Sequence, residues 1–221
     1  MMQWATPCVH LVTDRRRLAP DARTTDAELV ALERFLDDAL DAGVDAIQIR
    51  ERDLEAGTAR RVISGVVGRA RGRAVILVND RVDVALAAGA GGVHLRADSA
   101  PTEAVRHLGG PGWTIGRSVH SPEEAGGELN ADYVLFGTVF STDSKPGAAP
   151  AGLERLQDAA AASHAPVIAI GGITPERAAL ARTAGAAGVA AIGVFLPPGR
   201  HPSALGVRNA VRALRTAMQP R

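Results

Sequence analysis

The residues of this chain best suited to chemistry come directly after short apolar runs. Gln48-Ile49-Arg50-Glu51-Arg52 puts Gln48, Arg50 and Arg52 on one face if the run is extended, because side chains of a strand alternate with a period of two. Asn79-Asp80 leaves a second run, His94-Leu95-Arg96-Ala97-Asp98-Ser99 a third and Arg117-Ser118-Val119-His120 a fourth. Thr142, Ser144 and Lys145 follow a fifth, and Gly171-Gly172 and Gly193 follow the last two. Cationic and hydroxyl groups donate to phosphate oxygens, and glycines let backbone N–H groups come close to a phosphate. A helix opened by Thr174-Pro175 would turn its positive end to the same place. The carboxylates Asp80 and Asp98 suit Mg²⁺, which takes one or two protein carboxylates and completes its shell with phosphate oxygens and water. A substrate bearing a diphosphate would need such a set.

Each of these residues also has a purely structural reading. Asp80 could cap a helix starting near Arg81, and Asp98 one containing Pro101. The glycine pair could serve only a tight turn, and His94 and His120 could be strand-end histidines held by backbone. Lys145 is harder to explain that way. Of 25 basic residues all but Lys145 are arginine, so a surface cation would have followed the bias. A compact ammonium delivers a point charge to a phosphate oxygen where the planar guanidinium demands a fork-like partner.

Such residues act together only if the ends of the runs meet. Eight apolar runs, near residues 9–13, 46–50, 74–78, 92–95, 114–118, 133–137, 167–170 and 189–192, alternate with amphipathic helical segments such as 26–41, 54–71, 122–129, 175–184 and 202–218. Ser121-Pro122, Thr174-Pro175 and Ser99-Ala100-Pro101 read as helix starts. Gly43, Gly89, Asn130 and Gly185 precede the second, fourth, sixth and eighth runs, where a left-handed helix cap would sit. Runs this apolar belong to strands buried on both faces, as in parallel sheets. The alternation predicts a single α/β domain over residues 1–221, a closed (β/α)8 barrel rather than an open doubly wound sheet, with its chemistry at the C-terminal ends of the strands. The stretch 144–152, rich in Pro, Gly and Ala, reads as a loop.

Composition narrows the partners. A net charge of +1, from 25 basic and 24 acidic residues mixed along the 221-residue chain, leaves no electrostatic footprint for nucleic acid or an anionic membrane. The single cysteine, Cys8, forms no internal disulfide, the start lacks a signal-peptide pattern, and no run of about 18 apolar residues could span a bilayer. A cytoplasmic protein acting on small phosphorylated substrates is expected, and nothing in the sequence speaks to its oligomeric state.

Taken together, these strand ends resemble the thiamine phosphate synthase family, which also includes the thiazole tautomerases. The likeness runs from Leu11-Val12-Thr13-Asp14 to Gly188-Val189-Ala190 and is most specific at 48–52, at Asn79-Asp80-Arg81-Val82-Asp83-Val84-Ala85, at Gly92-Val93-His94-Leu95, at 132–145 and at 169–173. The resemblance implies a TIM barrel that joins an aminopyrimidine diphosphate to a thiazole phosphate and releases pyrophosphate. By position, Gln48 and Asn79 would meet the pyrimidine diphosphate, Asp80 would bind Mg²⁺, and Ser118 and Lys145 would hold the diphosphate. Thr142, Ser144, Gly172 and Gly193 would line the thiazole phosphate site.

The chain also departs from the synthase pattern. Arg52 stands where the family has Lys, Arg96-Ala97 replaces Gly-Gln, and Ser99 occupies the place of the second metal carboxylate, leaving Asp98 as the nearest substitute. Ile115-Gly116-Arg117-Ser118-Val119-His120-Ser121 is closer to the tautomerases, which aromatise thiazole phosphate by proton transfer, a task suited to His120. Asp80 and Gln48 are features the tautomerase pattern tends to lack. A metal-independent isomerase and a non-catalytic barrel that binds a thiazole or thiamine phosphate are the alternatives.

Overall fold

Strand and helix follow one another along the whole of the structure, a computed structural model that describes residues 7–142, 147, 149–196 and 201–219. The first strand, β1 (Cys8–Val12), leads into a one-turn helix α1 (Arg15–Leu18) and the longer α2 (Thr25–Ala42). Then come β2 (Ala46–Ile49), α3 (Ala56–Ala70), β3 (Val75–Asn79), α4 (Val82–Ala88), β4 (Gly92–Leu95) and α5 (Thr102–Gly109). The second half runs β5 (Thr114–Val119), α6 (Pro122–Gly127), β6 (Tyr133–Gly137), α7 (Gly152–Ala162), β7 (Val167–Ile170), α8 (Pro175–Thr183), β8 (Gly188–Ala191) and α9 (Ala204–Met218). Every strand pairs in parallel with its successor, and β1 closes on β8 with Cys8 opposite Gly188, so the sheet is the expected (β/α)8 barrel. Among the described residues no helix is long and apolar enough to cross a membrane.

Local signals account for most of the boundaries. Ser121 and Thr174 cap α6 and α8 with Pro in the first turn, and Gly43 and Gly89 end α2 and α4 in the left-handed conformation. Other signals meant something else. Arg81, not Asp80, holds the N-cap position of α4, while Asp80 has a positive φ of 65°. Pro101 opens α5 without a side-chain cap, so neither Asp98 nor Ser99 serves it. Instead the Ser99 hydroxyl accepts from the Arg96 N–H at 2.9 Å and donates to Asp80. Asn130 caps nothing, because α6 ends at Gly127 and its C-cap Glu128 is extended. Of the stretch 144–152, residues 144–146 and 148 lie outside the described residues, and its last residue already opens α7.

Inside the barrel, alternate residues of each strand form the packing. Cys8, Val12, Ala46, Val75, Leu77, Tyr133, Leu135, Ile168 and Ala190 make one buried cluster, and the outward-facing residues pack with the helices in another. Tyr133, the chain's only tyrosine, is fully buried here, and a Cβ on Gly116 would lie 2.0 Å from its ring. Asp45 ties the base of the barrel together. Its carboxylate accepts from the Val9 N–H at 2.8 Å and from Arg215 of α9 at 3.0 Å.

At the opposite end, Arg15 clasps the loop after β2 to the loop after β1. Its guanidinium donates to Glu28 at 2.8 Å, Glu51 at 3.1 Å and Asp53 at 2.6 Å, and Thr13 donates to Glu51 at 2.6 Å. The side chains of Arg15 and Glu51 are each only 4% exposed. Arg15→Met would leave Glu51 buried without its counter-charge, so we expect a loss of roughly 3–5 kcal/mol in urea unfolding. Hydrogen bonding from Arg15 also holds the Asp53 carboxyl down at about 2. A depressed folded-state pKa adds stability that is complete above the ordinary carboxylate range near pH ~4 and vanishes as the pH falls towards 2. The Arg15→Met variant should therefore show a flatter stability profile across that acid window than the parent.

Candidate active site

The C-terminal ends of the strands open into a cavity of about 580 Å³. Its floor is the inward-facing set of the barrel: Val12, Gln48, Asn79, His94, Ser118, Leu135, Ile170 and Ala190. Its walls come from the loops after the strands, and five arginines reach it: Arg17, Arg50, Arg52, Arg96 and Arg177. No aspartate or glutamate is among the described lining residues. A chamber of this size, positive and walled by protein, favours an anion and strengthens every charge contact it makes.

The strand order divides the chamber. On the side of β2, β3 and β4 stand Gln48, Arg50, Arg52, Asn79 and Arg96; Gly171, Gly172, Gly193 and the start of α8 stand across the barrel, at β7 and β8. Gln48, Arg50 and Arg52 all line the cavity, although β2 ends at Ile49 and Arg52 lies in the turn beyond it. Burial, together with the neighbouring Arg52 charge, pushes the Arg50 guanidinium below its ordinary pKa. Gln48 donates to Asn79 Oδ1 at 2.9 Å, leaving its own buried Oε1 without a hydrogen-bond partner. An orphaned acceptor costs free energy that a ligand N–H would recover.

Across the barrel, Gly171 and Gly172 both have positive φ, and Arg177 of α8 donates to the Gly172 carbonyl at 2.8 Å while stacking over Phe140. A Cβ at Gly172 would lie 2.4 Å from the Ser141 carbonyl oxygen. Gly172→Ala is thus expected to weaken binding of inorganic phosphate by about tenfold or more in calorimetric titration, since a strained left-handed residue costs about 1–3 kcal/mol. Thr142 lines the cavity, whereas Ser144 and Lys145 lie outside the described residues.

His120 also lines the cavity, and its Nδ1 donates to the Gly137 carbonyl at 2.6 Å, which leaves Nε2 for a ligand. His94 is not held by backbone. It hydrogen-bonds Tyr133 and Ser118, each at 2.9 Å, and burial pushes its pKa down to about 3. Arg17, Arg177 and Thr138 line the cavity too, beyond the residues that the sequence singles out. Arg17 carries the same signal as Arg50 and Arg96, a cation soon after an apolar run.

A family model described as "Thiamine monophosphate synthase" matches residues 18–195, which takes in β2 to β8 and every described lining residue of the cavity except Val12, Arg17 and Leu196. The chain belongs to that family. It is 43% identical to the thiamine-phosphate synthase of Anaeromyxobacter dehalogenans over 161 residues, 72% of each chain. It is 41% identical to that of Chlorobium luteolum over 183 residues, 79% of this chain and 86% of the relative. Its backbone is similar to the thiamine phosphate pyrophosphorylase of Pyrococcus furiosus, with 32% identity, 96% and 95% of the two chains covered and a TM-score of 0.77.

Within this member of the thiamine monophosphate synthase family, the two expected metal carboxylates part company. Asp98 is exposed and gives both oxygens to Arg96, and does not line the cavity. Asp80 is outside the cavity wall as well, yet its carboxylate lies 3.8 Å from Arg96, which is part of that wall, and it accepts from Ser99. Among the described residues no group of three or more His, Cys, Asp or Glu gathers as a metal cluster. One carboxylate and one hydroxyl are hard oxygen donors that fit Mg²⁺ when phosphate oxygens and water complete its shell.

Proposed function

We propose that this protein is a thiamine phosphate synthase: it joins an aminopyrimidine diphosphate to a thiazole phosphate, forming a C–N bond, breaking a C–O bond and releasing pyrophosphate. One observation carries the reading. The cavity is lined by five arginines and no described carboxylate, and cations or glycines stand on both sides of the barrel, an arrangement that suits two phosphorylated substrates. The synthase relatives at 41–43% identity favour a transferase over the isomerase and the non-catalytic barrel.

Gln48 Oε1 accepts from the amino group of the pyrimidine, and the Asn79 amide N–H, left free by the Gln48 bond, faces a ring nitrogen. Arg50, Arg52, Ser118 and Lys145 hold the diphosphate and stabilise the charge that grows on it as it departs. Thr142, Ser144, Gly171, Gly172 and Gly193 seat the thiazole phosphate so that the thiazole nitrogen points at the carbon losing its diphosphate. His120, between the two ends, offers Nε2 to the thiazole half. Asp80 with Ser99 would hold Mg²⁺, and Asp98 acts only by fixing Arg96. Bound there, the ion supplies charge neutralisation for the leaving pyrophosphate. The chain, residues 1–221, acts as one domain among cytoplasmic phosphorylated metabolites.

The test incubates purified protein with both substrates, with and without Mg²⁺, and measures pyrophosphate and thiamine phosphate. Stoichiometric formation of the two products, dependent on Mg²⁺, is expected. Aromatisation of thiazole phosphate in the presence of a chelator, with no pyrophosphate released, would hand the site to the isomerase.

A further inference from the structure

Beneath Ser118 lies a buried chain of polar groups that the reaction as proposed does not use. Tyr133 on β6 hydrogen-bonds His94 Nδ1 on β4 at 2.9 Å, and His94 Nε2 hydrogen-bonds the Ser118 hydroxyl on β5 at 2.9 Å. The phenol and imidazole rings are stacked with their planes 27° apart and their centres 5.6 Å apart, and the His10 ring meets Tyr133 edge-on at 5.7 Å. Tyr133 and His94 are buried, and of the three linked residues only His94 and Ser118 reach the cavity. The strand between them carries Gly116, where any side chain would collide with the phenol, so the barrel interior is cut to fit this ring.

A neutral imidazole has one N–H and one lone pair, so the chain has two possible directions. In one, the Tyr133 O–H donates to Nδ1, Nε2–H donates to the Ser118 oxygen, and the Ser118 proton is free to point into the cavity. In the other, Nδ1–H donates to the phenol, the Ser118 proton is consumed by Nε2, and the serine shows the cavity only lone pairs. A phenol is a stronger acid than a neutral imidazole N–H, which favours the first direction. So does an anion in the arginine-lined chamber, since lone pairs would repel it. Burial pushes His94 down to about 3 and the Tyr133 phenol upward, so both stay neutral across the physiological range and the relay keeps its protons.

We infer that Tyr133 and His94 are positioning residues that aim the Ser118 proton at the diphosphate. The inference rests on the assignment of Ser118 to that group. It makes Ser118 an obligate donor to anions, with its direction set from a residue that never touches the ligand.

Two measurements test it. Multiple-bond ¹H–¹⁵N spectra of the full chain report the His94 tautomer directly: protonation at Nε2 is expected, and protonation at Nδ1 would overturn the relay whatever the protein binds. Calorimetric titration with pyrophosphate then supplies a double-mutant cycle. Tyr133→Phe keeps the ring and removes the proton, and it should weaken pyrophosphate binding about five- to tenfold in the parent. On a Ser118→Ala background the same substitution should change nothing. Equal losses on both backgrounds would show a packing role only and overturn the proposal. A parent that binds no pyrophosphate would sink the synthase reading instead, and the tautomer spectrum would still decide the relay.

Discussion

Asp80→Asn and Lys145→Ala are each expected to lower the rate of thiamine phosphate formation by about 10²–10³-fold, the usual cost of removing one group that stabilises developing charge. The two variants should fail differently. Asn at position 80 still accepts the Ser99 hydroxyl but loses the formal charge, so its residual activity should need much more Mg²⁺. Lys145→Ala removes a cation, so its response to Mg²⁺ should be unchanged while inhibition by the product pyrophosphate weakens. Initial-rate assays over a Mg²⁺ series, with circular dichroism to confirm folding, separate the two. Parent-like rates in both variants would remove the electrostatic basis of the proposed mechanism.

The second large effect concerns folding. A Cβ at Gly92 would lie 1.8 Å from the Thr114 carbonyl oxygen, main chain of the neighbouring strand in register with it. Gly92→Ala should therefore destabilise by about 4 kcal/mol or more, a size that marks a specific structural conflict. Loss of soluble, cooperatively unfolding protein in denaturant titration is the expected result. Gly116→Ala makes a useful contrast, because its obstacle is the Tyr133 ring. Shrinking that ring with Tyr133→Leu should restore much of the loss at Gly116, while no side-chain change can relieve Gly92. A Gly92→Ala variant with parent stability would mean that β4 and β5 can part without cost.

Much of this was legible in the sequence because barrel strands and helix caps are local. The run Ala46-Ile-Gln-Ile carries β2 and the face of Gln48 and Arg50 at once, and Gly43 marks the turn before it through one left-handed residue. What escaped depends on partners distant in the chain or on competition among near ones. Arg17 joins the site because β1 lies beside β8, bringing its guanidinium within 3.7 Å of where a Cβ on Gly193 would be. Arg177 lies in the first turn of α8, and its bond to the Gly172 carbonyl five residues back depends on the backbone path of the loop between them. The pairing of Asp98 with Arg96, two residues away, is one that the residue types alone do not choose among several nearby charges. Tyr133 looks like ordinary core until its hydroxyl is found on His94, 39 residues earlier.

The pairing of β1 with β8 has a consequence for the chain as it is made. One edge of the Cys8–Val12 strand has no partner until Gly188 and its neighbours have left the ribosome, some 180 residues later, roughly 10–40 s at the usual ~5–20 residues per second. The grip of Arg215 on Asp45, 170 residues apart, comes later still. Through that interval an apolar edge strand is a template for any other growing sheet. The last strand therefore ends the nascent chain's exposure to aggregation in the same step that completes its catalytic mouth.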